Sequence, residues 1–253
     1  GVGGDLSVPA DKTPKRSPDG RFEAFAHAGG VQLRTLADGS VRTLARDGTD
    51  SDFYDAESIV WSPDSSRFAV LRVKPGLARR ITRVETSPRD QLQPRVQTQL
   101  YPKAGDPVDV DRPVIFEAAS GKRIDVPTAL FANPYELSPP QFRADGRTLA
   151  FRFVERGFQR VRLIEVDART GAARTVVEER SDTFVNSWWY RAEFHDIGNA
   201  GRQIVWQSER DGWNHLYMVD GASGRLRQLT RGPWAVRRIV KVDEARRQIW
   251  FAA

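Results

Sequence analysis

The residues able to do chemistry are few and scattered in this chain. There is no cysteine, which excludes a disulfide framework, a thiolate zinc site and a cysteine nucleophile. Of the three histidines, His27 and His195 stand alone with no second histidine at metal-ligand spacing, so no metal site is expected. His215 alternates with Trp213 and Tyr217 in "GWNHLYMVD" and is expected on one strand face as a packed, hydrogen-bonded residue. A serine hydrolase would place its nucleophile in G-x-S-x-G, because small flanking residues let a strand turn directly into a helix. The nearest string, Gly221-Ala222-Ser223-Gly224, lacks that spacing and reads as a hairpin turn. Glu178-Glu179 is a tempting double acid, but it closes a strand before a turn and is expected on a solvated edge. Lys103 in "YPKAGD" has no glycine-rich loop leading into a helix, which makes a structural role the expectation over phosphate binding. No catalytic residue and no cofactor is expected.

The elements that would carry these side chains are short strands. "SPDGRFEAFAHAGGVQLRTLADGSVRTLARDG" gives three, at Arg21 to His27, Val31 to Leu36 and Val41 to Ala45, with glycine-containing turns between them. Ser17-Pro18-Asp19-Gly20 has type I turn chemistry, and related turns recur at Ser62 to Ser65 and Arg143 to Gly146. Later, "GWNHLYMVDGASGRLRQL" supplies a strand from Trp213 to Val219, a turn, and an outer strand from Arg225 to Leu229. Units of this kind every 40 to 45 residues or so are the signature of propeller blades, which cannot bury both faces alone and must stack. The fold class is therefore all-β, a β-propeller of four-stranded antiparallel blades, with roughly five to six units present. Residues 1–16 read as a flexible segment and 17–253 as the propeller. Two proline-containing stretches break the rhythm, Arg79 to Arg112 and Pro127 to Pro140, and are expected to be long connections or edge strands.

Composition excludes other classes. The net charge of +6 is spread as arginines beside acids, as in "RLIEVDARTGAARTVVEERSD", which is a mixed-charge surface and argues against nucleic acid as a partner. No apolar run is long enough to span a membrane, and the first residues lack the hydrophobic core of a signal peptide. A mature exported protein would look the same. Arginine abundance suggests a bacterial source.

Three ordered segments carry a resemblance. "LYPKAGDPVDVDRPVIFEAASGKR" (Leu100 to Arg123), "SERDGWNHLYMVD" (Ser208 to Asp220) and "LTRGPWAV" (Leu229 to Val236) resemble the N-terminal β-propeller of the dipeptidyl peptidase IV branch of the prolyl oligopeptidase family. "VWSPDSSRFAVLR" sits where that family has its Trp-Ser-Pro blade turn. The resemblance implies a ring of about eight blades covering an α/β-hydrolase domain that holds the catalytic Ser, Asp and His. Because the chain stops midway through a blade, it is expected to be a propeller fragment without that domain. The implied partners are peptide substrates, the C-terminal hydrolase domain of the same parent chain and, through unpaired blade edges, a homodimer. A periplasmic or secreted location fits the parent.

By resemblance, the propeller half contributes an acidic pair that binds the substrate's N-terminal ammonium. Counting back from Trp61 puts that register at Thr49-Asp50-Ser51-Asp52, where two aspartates replace the glutamates, or a merely polar loop stands in their place. Asp50 and Asp52 are the candidate amine ligands and Glu57, just before a strand, is the next. Trp188, in Trp188-Trp189-Tyr190, is the candidate apolar wall of the cavity, with blade packing as the competing role. If the acidic pair is lost, the parent would be a broader oligopeptidase. Outside this class, a stand-alone propeller binding a protein partner or glycan is the alternative. A propeller lactonase would need acids, Asn and His converging on the channel, and the scattered histidines argue against it.

Overall fold

The computed structural model describes residues 14–27 (the side chain of His27 excepted), 29–77, 79–186 and 194–253. Four sheets follow one another along the chain, each built from neighbouring antiparallel strands. The first runs Lys15–Arg16, Phe22–His27, Gly30–Thr35 and Val41–Ala45. The second contains Phe53–Trp61, Arg67–Lys74, Val110–Glu117 and Arg123–Asp125. In the third, Pro134–Leu137 and Gln141–Phe142 both pair with Thr148–Glu155, followed by Arg160–Asp167 and Ala173–Arg180. The fourth comprises Phe194–Asp196, Gln203–Ser208, His215–Asp220 and Leu226–Gln228, and a pair, Arg238–Asp243 with Gln248–Ala252, begins a fifth unit. Two differences from the sequence-based expectation stand out. Lys15–Arg16, inside the stretch expected to be flexible, pairs with Ala24 and Glu23, whereas the rest of that stretch up to residue 13 lies outside the described residues. Trp213 is not on the strand of His215 and Tyr217: Gly212 turns the chain at φ 96°, the strand starts at His215, and Trp213 is 47% exposed.

The strand period of two explains the stacking. Consecutive side chains point to opposite faces of a blade, so each inner strand feeds two interfaces. Phe68 and Val70 pack with Ala24, Val31 and Leu33 of the first sheet, while Ala69 between them packs with Leu149, Phe151 and Ile164 of the third. Ile204 and Trp206 join Val154, Leu163 and Val176 of the third sheet, while Val205 faces Ile239, Ile249 and Phe251 of the last pair. The blades therefore share their cores pairwise, as a β-propeller requires.

The recurrent turns interlock. Ser17 Oγ donates to Asp19 Oδ1 at 2.7 Å, and Ser62 Oγ to Asp64 Oδ1 at 2.6 Å in the equivalent place. The Asp19 amide then donates to Ser65 Oγ of the next blade at 3.0 Å. Gly146 occupies the left-handed region at φ 65°, and a Cβ there would lie 2.9 Å from Asp64 Cγ, so the third turn nests against the second only with glycine.

Because neighbouring strands run in opposite directions, the turns fall on two faces. Short turns at 17–21, 62–66, 118–122, 143–147, 168–172 and 221–225 open on one. The second-to-third turns and the crossovers between blades open on the other, and these include the described parts of the long connections, 46–52, 75–77 with 79–109, 126–133, 181–186 and 209–214. Within 75–109, Arg80–Glu85 and Arg95–Leu100 form a separate two-stranded sheet. No helix among the described residues is long and apolar enough to cross a membrane.

Candidate functional site

The face carrying the long connections holds two of the candidate residues, Asp50 and Asp52, both on connection 46–52. A tight bridge, Thr49 N to Asp52 O at 2.9 Å and Asp52 N to Thr49 O at 3.1 Å, sets their geometry. It leaves Asp50 exposed, without an ion pair among the described residues. Asp52 is committed: Arg72 Nε donates to its Oδ1 at 3.0 Å and Arg112 Nη2 donates to the same oxygen. Burial alone would raise the Asp52 pKa, but these two guanidinium groups outweigh it and hold the carboxyl below its ordinary range. Beside it, Tyr54 Oη donates to Asp47 Oδ1 at 2.8 Å, and burial with this bond pushes the phenol up to about 12.

Glu57 is presented differently. Asp55 pairs with Leu71 and Val60 with Ala69, so residues 56–59 bulge from the first strand of the second blade. Ser58 braces the bulge, its Oγ donating to Asp55 O at 2.6 Å and accepting from the Leu71 amide at 2.7 Å. This strand is the edge of its sheet and touches the first strand of blade one and Gln141–Phe142 of blade three, which places it on the inner side of the blades. Glu57 has a half-exposed side chain, 3.4 Å from Lys15 Nζ. Asp111, across the same sheet, has its pKa raised to about 6 by burial first and then by Asp109 and Asp55. Glu57 on the inner strand thus has one partly exposed lysine as partner, where Asp52 has two arginines. Trp188 lies outside the described residues, as do Trp189 and Tyr190.

Glu179 corrects an expectation. It is buried rather than on a solvated edge, accepting from Trp206 Nε1 at 2.7 Å, Ser208 Oγ at 2.8 Å and Arg210 Nη2 at 2.5 Å. The physical reason is strand alternation: Glu178 turns to Arg162, 2.5 Å away, while Glu179 turns the other way onto the next blade. Its partners come from another blade, so no local sequence signal marks it. His215 is fully buried between Thr230 Oγ1 at 3.0 Å and Gly232 O at 3.1 Å and sits edge-on to Trp234, a packed blade histidine. His195 Nε2 lies 3.8 Å from Glu244 Oε1. No group of three or more metal-ligating side chains gathers among the described residues.

Stacked four-stranded antiparallel sheets with shared cores and long connections gathered on one face define a β-propeller whose sequence carries no hydrolase elbow. A sequence profile described as the dipeptidyl peptidase IV (DPP IV) N-terminal region matches residues 6–253, and the chain belongs to that family. It is 24% identical over 255 residues to "Probable dipeptidyl peptidase 4" of Aspergillus fumigatus, covering 93% of this chain and 33% of that protein. It is 22% identical over 207 residues to "Dipeptidyl peptidase 4" of Trichophyton rubrum, covering 79% and 27%. The crystal structure of Porphyromonas gingivalis dipeptidyl peptidase 4 shares the fold, with a TM-score of 0.68 at 24% identity over 94% of this chain and 35% of that one. The chain thus spans about a third of the length of these relatives.

Proposed function

We propose that this chain is the non-catalytic propeller portion of a dipeptidyl peptidase IV-like serine peptidase, gating peptides toward a separate α/β-hydrolase domain and holding the substrate's amino group. Membership of the N-terminal-region family supports the first part. The bulge at 56–59 carries the second, because it offers the Glu57 carboxylate from the inner strand while Asp52 is already held by two arginines. A carboxylate that gains an ammonium gains a charge-assisted hydrogen bond; one already neutralised gains little. Asp50 is a second, exposed carboxylate on the adjoining connection.

The test is hydrolysis by the full-length protein of dipeptidyl-alanine and dipeptidyl-proline reporters, with and without an N-terminal block. Glu57→Gln is expected to lower kcat/KM on the free-amine reporters about tenfold or more, with the blocked reporters unaffected. Asp50→Asn is expected to have the smaller effect, and Asp52→Asn to act on thermal stability rather than on selectivity. Equal cleavage of free and blocked reporters by every variant would remove the amine site from this propeller.

A further inference from the structure

A cavity of about 460 Å³ opens on the same face, between the end of the third blade's outer strand and the 209–214 turn of the fourth blade. That volume is in the range of small-ligand sites. Its polar lining is unusual in being partly satisfied by the protein and partly not.

Asn214 and Gln207 line the cavity and are each 4% exposed. Asn214 Nδ2 donates to the Val236 carbonyl at 2.7 Å, which can only accept, so the amide orientation is fixed. The same nitrogen donates to Gln207 Oε1 at 3.0 Å. What remains is one donor, Gln207 Nε2, and one acceptor, Asn214 Oδ1, neither with a partner among the described residues. Neither atom is sealed from solvent, so a ligand reaching them exchanges water contacts for hydrogen bonds to the amides. One donor and one acceptor side by side complement a peptide bond.

The charges divide in the same way. Glu179 and Arg210 neutralise each other at 2.5 Å, and Arg210 also lies over the Tyr217 ring. Arg180 and Glu209 line the cavity with no ion pair among the described residues. Burial, and then repulsion from Glu179, raises the Glu209 pKa, so a cation beside it would be favoured. The rim is aromatic: Phe184 is 51% exposed and packs at a tilt, 5.5 Å between ring centres, against Phe158, which packs at a tilt 4.5 Å from Tyr135. Phe158 is held at φ 59°, a strained conformation for a bulky residue of the kind that concentrates at ligand sites.

We propose that this cavity is a binding site for a short free peptide of dipeptide size. Its amino group lies at Glu209, its carboxylate at Arg180, its peptide bond on Gln207 and Asn214, and its side chain on Phe184. Such a ligand engages Glu209, Arg180, the Gln207 donor and the Asn214 acceptor together. The site lies between the third and fourth blades and shares no lining residue with the strand of Glu57 in the second.

The experiment is calorimetric titration of the full-length protein with glycyl-phenylalanine, its N-acetyl form and its C-terminal amide. The free dipeptide is expected to bind saturably. Glu209→Gln should weaken it about tenfold while leaving the N-acetyl form unchanged, and Arg180→Gln should do the same with respect to the amide form. Both side chains are exposed enough for the variants to fold, and Phe184→Ala is a third, apolar check. No saturable binding in the millimolar range, or equal losses for free and blocked forms, would overturn the proposal. Glu57→Gln should leave this binding intact; if it abolishes it, the dipeptide sits on the inner acids, and the amine site survives while the present site does not.

Discussion

At the scale of single residues, the acids of this chain fall into two electrostatic groups with opposite pH signatures. Asp111 is shifted from an ordinary 3.8 to about 6, by burial and by Asp109 and Asp55. Between those values the folded chain binds its proton more tightly than the unfolded chain, so stability falls as pH rises from about 4 to about 6. Asp111→Asn should therefore be more stable than the parent at pH 7, by at most about 3 kcal/mol, with the advantage vanishing near pH 4. Urea midpoints of both proteins across that window check it; a pH-independent gap would show that the charge of Asp111 is not the cause. Asp52 has the reverse sign: its arginine partners lower its pKa, and its contribution is lost as pH falls through the lowered value. Residue roles were legible only where partners were near in sequence. His215 was readable from its alternation with Tyr217 and finds a partner in Thr230, whereas Glu179 was not, because Trp206 and Arg210 belong to the next blade. The bracing of Asp52 by Arg112 spans sixty positions and left no trace in spacing.

At the scale of elements, the turns announced the blades. Ser-Pro-Asp-Gly chemistry at 17–20 and its relatives at 62–65 and 143–146 marked the starts of three second strands correctly, because turn preferences are local. The bulge at 56–59 and the lock between the third and fourth blades were not legible, since both depend on which strands become neighbours. In that lock Arg143, whose side chain is 2% exposed, lies 2.5 Å from Glu165 Oε1 and contacts Asp196 of the fourth blade, while Arg174 reaches Glu165 as well. Gly201 closes over the guanidinium, where a Cβ would come within 2.7 Å of Arg143 Cζ. Removing the cation takes the arginine from buried Asp196 and leaves Glu165 to Arg174 alone, so Arg143→Ala should destabilise the protein by about 3 kcal/mol, well above a typical surface ion pair. Denaturant unfolding should show a lower midpoint with an unchanged slope. A loss of less than about 1 kcal/mol would mean that water replaces the arginine and that apolar packing alone joins these blades.

At the scale of the whole molecule, the structure separates a stacked body from an appendage. Each of the four apolar clusters joins neighbouring units, and none includes a residue of the hairpin Arg80–Glu85 with Arg95–Leu100. Among the described residues that two-stranded sheet pairs with no other strand, and it exposes Val84 and Val96, with Leu92 in its connecting loop 99% exposed. A lone hairpin is marginal in water. Its base, however, is clamped: Arg79 Nε and Nη2 donate to the two carboxylate oxygens of Asp106, each at 2.8 Å, and Arg156 of the third blade donates to Asp106 O at 2.6 Å. The Tyr101 amide donates to Arg79 O at 2.9 Å, so the two ends of the hairpin are hydrogen-bonded neighbours. Replacing residues 80–100 by an Asn-Gly turn should close that gap without touching the blades and shift Tm by no more than about 4 °C. Asp106→Ala, by contrast, should leave Tm equally unmoved but speed amide exchange through the hairpin, because it removes both side-chain bonds of the clamp and leaves backbone contacts at the base. If excision instead collapses the fold, the arm is part of the blade core, and the division into body and appendage is wrong. If it does not, the long connection between the second and third strands of this blade can be altered independently of the ring that supports it, which is the condition under which one propeller face acquires new specificity while the other keeps its tight turns.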